Sequence, residues 1–299
     1  MIRVGPAGWS YADWEGVVYP REKPKGFHAL PFLARTFDLM ELNASFYRTP
    51  RRRDVERWTK LIEPFERFRF TAKLRGTLTH DNYDPEDEPA LSKVFAEARD
   101  ALLPLAEAGR MQALLAQFPA SFRATDRGLR RIAWLRERVQ SVPLVCELRH
   151  VSWFREPMIE RLRALDVAVA WIDLPASKLH PPLEPPVVAS SHSLGYFRIH
   201  GRNASAWFDP KAGRDARYDY HYDRSEVLGL SRRIERLASG VDDVAVVTNN
   251  HFSGKAVANG IELIHELGGP PPVVPRSLVD AFPGLETISR PEGQAGLFS

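Results

Sequence analysis

Cysteine is almost absent. Cys146 stands alone in 299 residues, so no disulfide can form within the chain, and a reducing cytoplasm is the expected compartment. Long apolar runs are missing as well. No stretch approaches the roughly 20 residues that cross a bilayer. The chain opens on "MIRVGPAGW" rather than on a basic region followed by an apolar one, so neither a leader nor a membrane partner is expected. Neither sign of charge dominates: 41 basic residues face 38 acidic ones, for a net charge of +3. That balance tolerates phosphate without demanding it. Several catalytic signatures are lacking too. There is no GxSxG and no GxGxxG after a strand, so the sequence supports neither a nucleophile elbow nor a dinucleotide cofactor. There is no HExxH or HxH, so no local spacing supports a metal. His80, Glu147, Asp173, His200 and His251 could converge on a divalent ion, but the cations expected among them oppose it. No cofactor is therefore expected.

What the sequence does contain is alternation. Eight short β-rich runs recur at 3–9, 38–43, 68–74, 112–118, 143–148, 167–173, 196–201 and 244–250. Helical periodicity fills 89–108, 126–139, 155–165, 224–238 and about 254–267, with Pro104 expected to kink or break the first of these. Strands alternating with helices predict parallel pairing through crossover connections. Eight of them predict an α/β fold of the (β/α)8 TIM-barrel type, with an open doubly wound sheet as the alternative. After the sixth strand, "LPASKLHPPLEPPVVASSHSLG" holds too many prolines for a helix and predicts an irregular crossing. Residues 1–268 are expected to form one domain. Residues 269–299, rich in proline and glycine, are expected to form a tail.

Side chains of a strand alternate between interior and exterior. Applied strand by strand, this rule turns Glu41 and Asn43 inward, then Thr71 and Lys73, then Gln117, then Glu147 and Arg149. Trp171 and Asp173 follow on the sixth strand, Arg198, His200 and Arg202 on the seventh, and Asn249 on the eighth. Cys146 turns toward the helices, which argues against a cysteine nucleophile. Polar side chains thus gather at the C-terminal ends of the strands, where barrel enzymes place their active sites. The competing reading is a purely structural set of ion pairs, such as Glu147–Arg149 or Glu41–Lys73.

Seven blocks carry a resemblance: "GWSYADWEGVVYP", "ELNASFYRTP", "KLRGTLTH", "QFPASF", "ELRHVSW", "FRIHGRN" and "NNHFSGKAVANG". In this order they resemble the signature blocks of the YecE-like family, domain of unknown function 72. The resemblance covers residues 4 to about 267 and implies a TIM barrel.

The strand-seven and strand-eight loops, with Gly201-Arg202-Asn203 and Ser253-Gly254-Lys255, fit a phosphate site at a helix N-terminus; Ser253 could equally be a simple helix cap. Lys73, Arg149 and Arg198 add cations. An anionic, phosphate-bearing substrate is therefore expected, nucleic acid included. Glu147, His200, Glu41 and His251 are the candidate acid–base groups. Asn43, Tyr47, Lys73, His80, Gln117, Arg149, Trp153, Arg198, Arg202, Trp207, Asn249, Asn250 and Lys255 are the candidate substrate contacts. His80 has a bland alternative, a hydrogen bond that stabilises its loop. Aromatics (Trp9, Tyr11, Trp14, Phe46, Phe208) crowd the same rim. The 207–223 loop interleaves Tyr218, Tyr220 and Tyr222 with Lys211, Arg214 and Arg217, either to stack bases or sugars or to pack as a lid on its own aspartates. Finally, Gln294, Leu297 and Phe298 near the C-terminus resemble the peptide that binds the bacterial sliding clamp, and suit docking of an extended tail in a groove. Three functions follow as expectations: an enzyme on a phosphate-bearing substrate, an isomerase or hydrolase of a small sugar or sugar phosphate, or a non-catalytic module tethered to DNA.

Overall fold

Strands form where β-branched and aromatic residues lie between turn signals. In the computed structural model, which describes residues 1–81 and 87–292, they are β1 (Ile2–Pro6), β2 (Leu39–Leu42), β3 (Arg69–Lys73), β4 (Met111–Gln117), β5 (Leu144–Glu147), β6 (Ala168–Val169), β7 (Trp171–Asp173), β8 (Leu194–Ile199) and β9 (Asp243–Thr248). All eight expected runs are strands, the sixth being divided at Ala170. One parallel sheet runs β2-β3-β4-β5-β6 and the other β1-β9-β8-β7. They meet at two seams. At the first, Ala170 alone separates β6 from β7, and its N–H donates to the Cys146 carbonyl at 3.0 Å. At the second, Ala7 forms a parallel bridge with Glu41. Gly5 lets β1 come this close: a Cβ there would sit 1.8 Å from the Leu39 carbonyl oxygen. The architecture is a TIM-like α/β fold of parallel sheets.

The helices are α1 (Ala29–Leu33), α2 (Arg52–Leu61), α3 (Glu88–Glu107), α4 (Asp126–Arg138), α5 (Glu156–Ala164), α6 (Ala204–Trp207), α7 (Arg214–Arg217), α8 (Arg224–Ala238), α9 (Lys255–Glu266) and α10 (Arg276–Ala281). None among the described residues is long and apolar enough to cross a membrane. Contrary to expectation, α3 runs unbroken through Pro104. The carbonyl that Pro104 deprives of a donor belongs to Asp100, which is exposed, so water can satisfy it. Capping at α8 is reciprocal: Asp223 accepts from the Glu226 N–H at 2.9 Å, and Glu226 accepts from the Asp223 N–H at 3.1 Å.

Apolar side chains divide by strand face. Met40, Phe70, Cys146 and Leu148 join the large cluster beneath the helices, whereas Leu39, Leu115, Val145, Tyr196 and Val247 fill the space between the sheets. The sixth strand corrects the sequence reading. Ala170 and Ile172 face the interior, so Trp171 and Asp173 turn toward the helices, where Trp171 packs with Phe197. "VAVAWID" is apolar at almost every position and carries no alternation to read. Its face is decided by the Asp173 carboxylate, which accepts from Arg202 at 2.8 Å, Arg233 at 2.5 Å and Tyr222 at 2.7 Å.

From Leu174 to Ser193 the chain is irregular, as the prolines predict. Beyond residue 269, β10 (Val273–Val274) pairs in parallel with β11 (Arg290–Pro291). Val274, Leu278, Val279 and Leu285 are buried in the main apolar cluster, and Ser277 donates to the Val17 carbonyl at 2.8 Å.

Candidate functional site

Parallel strands bring their C-terminal ends to one edge of each sheet, and inward residues there face one another. At the centre lies Arg198, at the end of β8 and fully buried. Its Nε and Nη2 donate to the two oxygens of Glu41, at 3.1 and 2.7 Å, and its Nη1 donates to Glu147 Oε2. Glu41 also accepts from the Tyr196 hydroxyl at 2.9 Å, which in turn meets Thr71 at 2.8 Å. The other oxygen of Glu147 accepts from Gln117 at 2.7 Å and from Arg149 Nε at 2.6 Å. A buried guanidinium between two carboxylates satisfies every charge it faces, which is the condition for keeping charges out of water. Burial alone would push the Glu147 carboxyl up, but Arg198 and Arg149 override it and hold the group well below the ordinary range.

His200 sits beside this network. Asn249 donates to its Nδ1 at 3.0 Å, and its Nε2 lies 3.5 Å from Glu147 Oε1. Burial drives its pKa down to about 3 despite the Glu147 charge, so the ring is neutral at physiological pH, with its proton on Nε2. His251 follows β9. It stacks on Tyr11 with ring centroids 4.4 Å apart, its Nδ1 is buried with no hydrogen-bond partner, and burial lowers it to about 4.

Lys73 ends β3 and is 8% exposed. Among the described residues its ammonium has no ion pair or hydrogen bond; it lies 5.4 Å from the centre of the Phe46 ring. Burial, reinforced by Arg198, lowers its pKa to about 7, with Glu41 and Glu147 acting in the opposite direction. The outer wall is aromatic. Trp207 and Tyr218 meet edge to face at 5.9 Å, both rings lie near His200, and Arg149 lies over Trp207 at 5.8 Å. The Tyr11 hydroxyl donates to the Ala7 carbonyl, with the Asn43 side chain beside it. His80 is exposed on the rim, bonded to Thr79 at 2.9 Å, which matches its bland alternative.

The structure therefore brings together Glu41, Asn43, Lys73, Gln117, Glu147, Arg149, Arg198, His200, Trp207, Asn249 and His251, with His80 at the edge. It sets others apart. Arg198 is consumed by two carboxylates and offers nothing to an incoming anion. Gly201 has a φ of 91°, which ends the strand alternation, and Arg202 swings outward to Asp173 and Glu226. Asn250 lies on the helix side, donating to Tyr220 and Asn259. Trp153 is core: it stacks on Phe122 and donates to its carbonyl at 2.7 Å. Trp14 is likewise buried, donating to the His251 carbonyl, and Tyr47 is 66% exposed. Lys255 is paired with Asp219. The two loops expected to cradle phosphate are already filled: the Gly201 N–H donates to Tyr222 at 2.9 Å and the Ser253 N–H to Asp13 at 2.5 Å. In the 207–223 loop, Arg214 pairs with Asp215 and Arg217 donates to the Asp209 carbonyl. No group of three metal-ligating side chains occurs among the described residues. Gln294, Leu297 and Phe298 lie outside the described residues. Sequence reasoning missed Tyr196, although it shares the inward face of Arg198 and His200 by simple alternation.

The profile of the family described as "Protein of unknown function DUF72" matches residues 3–279. The chain belongs to this family. The DUF72 chain is 28% identical over 273 residues to the UPF0759 protein YunF of Bacillus subtilis, covering 89% of this chain and 95% of that one. Among solved structures it resembles a DUF72 family protein of Thermotoga maritima MSB8, at 30% identity and TM-score 0.76, over 90% of this chain and 99% of the other. A DUF72 family protein of Enterococcus faecalis V583 matches at 25% identity and TM-score 0.75, over 90% and 96% of the two chains.

Proposed function

We propose that this DUF72 protein is an enzyme acting on a small anionic substrate, phosphate-bearing, in the crevice at the C-terminal strand ends. The single observation that carries this reading is a surplus of positive charge. In the buried network two carboxylates, Glu41 and Glu147, face Arg198, Arg149 and Lys73, and Lys73 is the cation left without a partner. Lys73 is largely withdrawn from water, and an anion arriving beside its unpaired ammonium would supply the missing partner. Arg149 spends only its Nε on Glu147 and supplies the second cation. Trp207 and Tyr218 suit the face of a sugar ring. Glu147, kept ionised by Arg198 and Arg149, is the candidate base of the site.

Closure of the two sheets into one (β/α)8 barrel belongs to the same reading, supported by the Ala7–Glu41 bridge and the single-residue break at Ala170. A small sugar phosphate suits the crevice better than nucleic acid does, because Arg214 is already paired with Asp215 and Arg217 donates to the Asp209 carbonyl. Recruitment to a sliding clamp through Gln294, Leu297 and Phe298 is a separate proposal resting on the sequence pattern; a pull-down with and without residues 293–299 tests it.

Calorimetric titration with inorganic phosphate and with a hexose phosphate tests the main reading. Saturable binding that Lys73→Arg retains and Lys73→Met weakens at least about tenfold, the scale of one lost charge-assisted contact, is the expected result. Binding indifferent to Lys73→Met would defeat it.

A further inference from the structure

We propose that Lys73 is a covalent catalyst that forms an imine with the carbonyl carbon of an anionic aldehyde or ketone substrate. This deepens the function proposed above and rests on it. The geometry comes first. Lys73 is one of eight lysines in the chain and the only one among the described residues that is buried. It ends a central strand, flanked by the short β3 pairings to β2 and β4, so its backbone is fixed. The carboxylates that would ordinarily hold it, Glu41 and Glu147, are already engaged by Arg198, through two contacts and one contact respectively. A lysine kept as a structural cation would be paired; this one is denied its partners by a competing arginine. Desolvation beside a second fixed cation is a recognised way to make an amine nucleophilic. The lowered pKa of about 7 agrees, since it leaves a large neutral fraction at physiological pH.

The step balances without any co-reactant. The Nζ lone pair forms a bond to the carbonyl carbon while the C=O π pair moves to oxygen. The two amine protons then leave with that oxygen as water as the C=N bond forms. Amine plus carbonyl gives imine plus water. Arg149, over the Trp207 ring, is placed to hold the substrate's anionic group. His200 stands next to Glu147 within the same network and helps to position its carboxylate.

Trapping tests the proposal. The full-length protein is incubated with dihydroxyacetone phosphate and sodium borohydride at pH 7.5, and every lysine is mapped by peptide mass spectrometry. Hydride reduces the imine to a stable secondary amine, so the readout needs no known turnover. Lys73 is expected to be labelled at least about tenfold more than any of the other seven lysines, because ordinary lysines are overwhelmingly protonated at that pH. Lys73→Arg is expected to lose the label while still binding inorganic phosphate. Labelling spread over exposed lysines, with Lys73 spared and phosphate still bound, would overturn the imine and leave the anion site standing. Absence of both label and phosphate binding would overturn both readings.

Discussion

Arg198 and Glu41 meet through two parallel contacts, Nε to Oε2 at 3.1 Å and Nη2 to Oε1 at 2.7 Å, with both side chains fully buried. The fork of the guanidinium matches the carboxylate, which is why lysine could not substitute here. Because the same guanidinium also holds Glu147, its removal would strand two buried negative charges at once.

Arg198→Met is therefore expected to destabilise the protein by about 3–5 kcal/mol, the range for breaking a buried pair. Urea unfolding followed by circular dichroism measures this. A midpoint unchanged from wild type would show that the carboxylates do not depend on Arg198. Placing Arg198 in the substrate-binding set would have suggested a harmless change; its two partners in the structure reverse that expectation.

Lys73 gives a stability slope in alkali. The group has a pKa of about 7 when folded against an ordinary value of 10.5. Between those values the unfolded chain carries a proton that the folded protein has released, so stability rises with pH across the window. Below pH 7 the full cost of the buried ammonium is present. Lys73→Met should therefore gain most over wild type near pH 6, with the gain shrinking toward pH 10. Urea midpoints of both proteins at several pH values decide it; a difference independent of pH would contradict the assignment.

His200 is expected to stay neutral through physiological pH. Its folded pKa of about 3 lies below the ordinary 6.5, so in this window it is the unfolded chain that takes up the proton. Its contribution is intact above pH 6.5 and is lost as the pH falls toward 3. Nitrogen-15 NMR of the imidazole should show no titration between pH 5 and 8 and a proton on Nε2. A chemical-shift transition near 6.5 would refute the buried, Asn249-bonded state.

Gly5→Ala should abolish stable folding, costing about 4 kcal/mol or more, the level at which a substitution becomes exceptional. The added carbon would strike the Leu39 carbonyl, a backbone atom of the neighbouring strand. Soluble, cooperatively melting Gly5→Ala protein would mean that the β1–β2 seam can open without harm.

Much of the fold was legible because its signals are local. Eight apolar runs with helices between them, a glycine-proline stop after α9 and a proline-rich crossing all arise from residues adjacent in sequence. Alternation placed Glu41, Lys73, Gln117, Glu147, Arg198, His200 and Asn249 correctly, since one fixed residue on each strand settles the rest. It failed at Trp171 and Asp173, where an unbroken apolar run offered no alternation and a partner on α8, sixty residues away, chose the face. It failed again after Gly201, whose left-handed backbone redirected Arg202. Nor did the sequence reveal who pairs with whom. That Glu41 takes Arg198 and leaves Lys73 alone depends on three strands meeting in space.

The distribution of charge over the two sheets has a mechanical meaning. Glu41 and Glu147 belong to β2 and β5 of one sheet, whereas Arg198 belongs to β8 of the other. Opposite poles thus face each other across the join, and the attraction between them clasps the halves at the very end where chemistry is proposed. Because Arg198 and Arg149 hold the Glu147 carboxyl well below the ordinary range, this clasp outlasts ordinary surface ion pairs as acid is added, and the halves stay joined at the crevice.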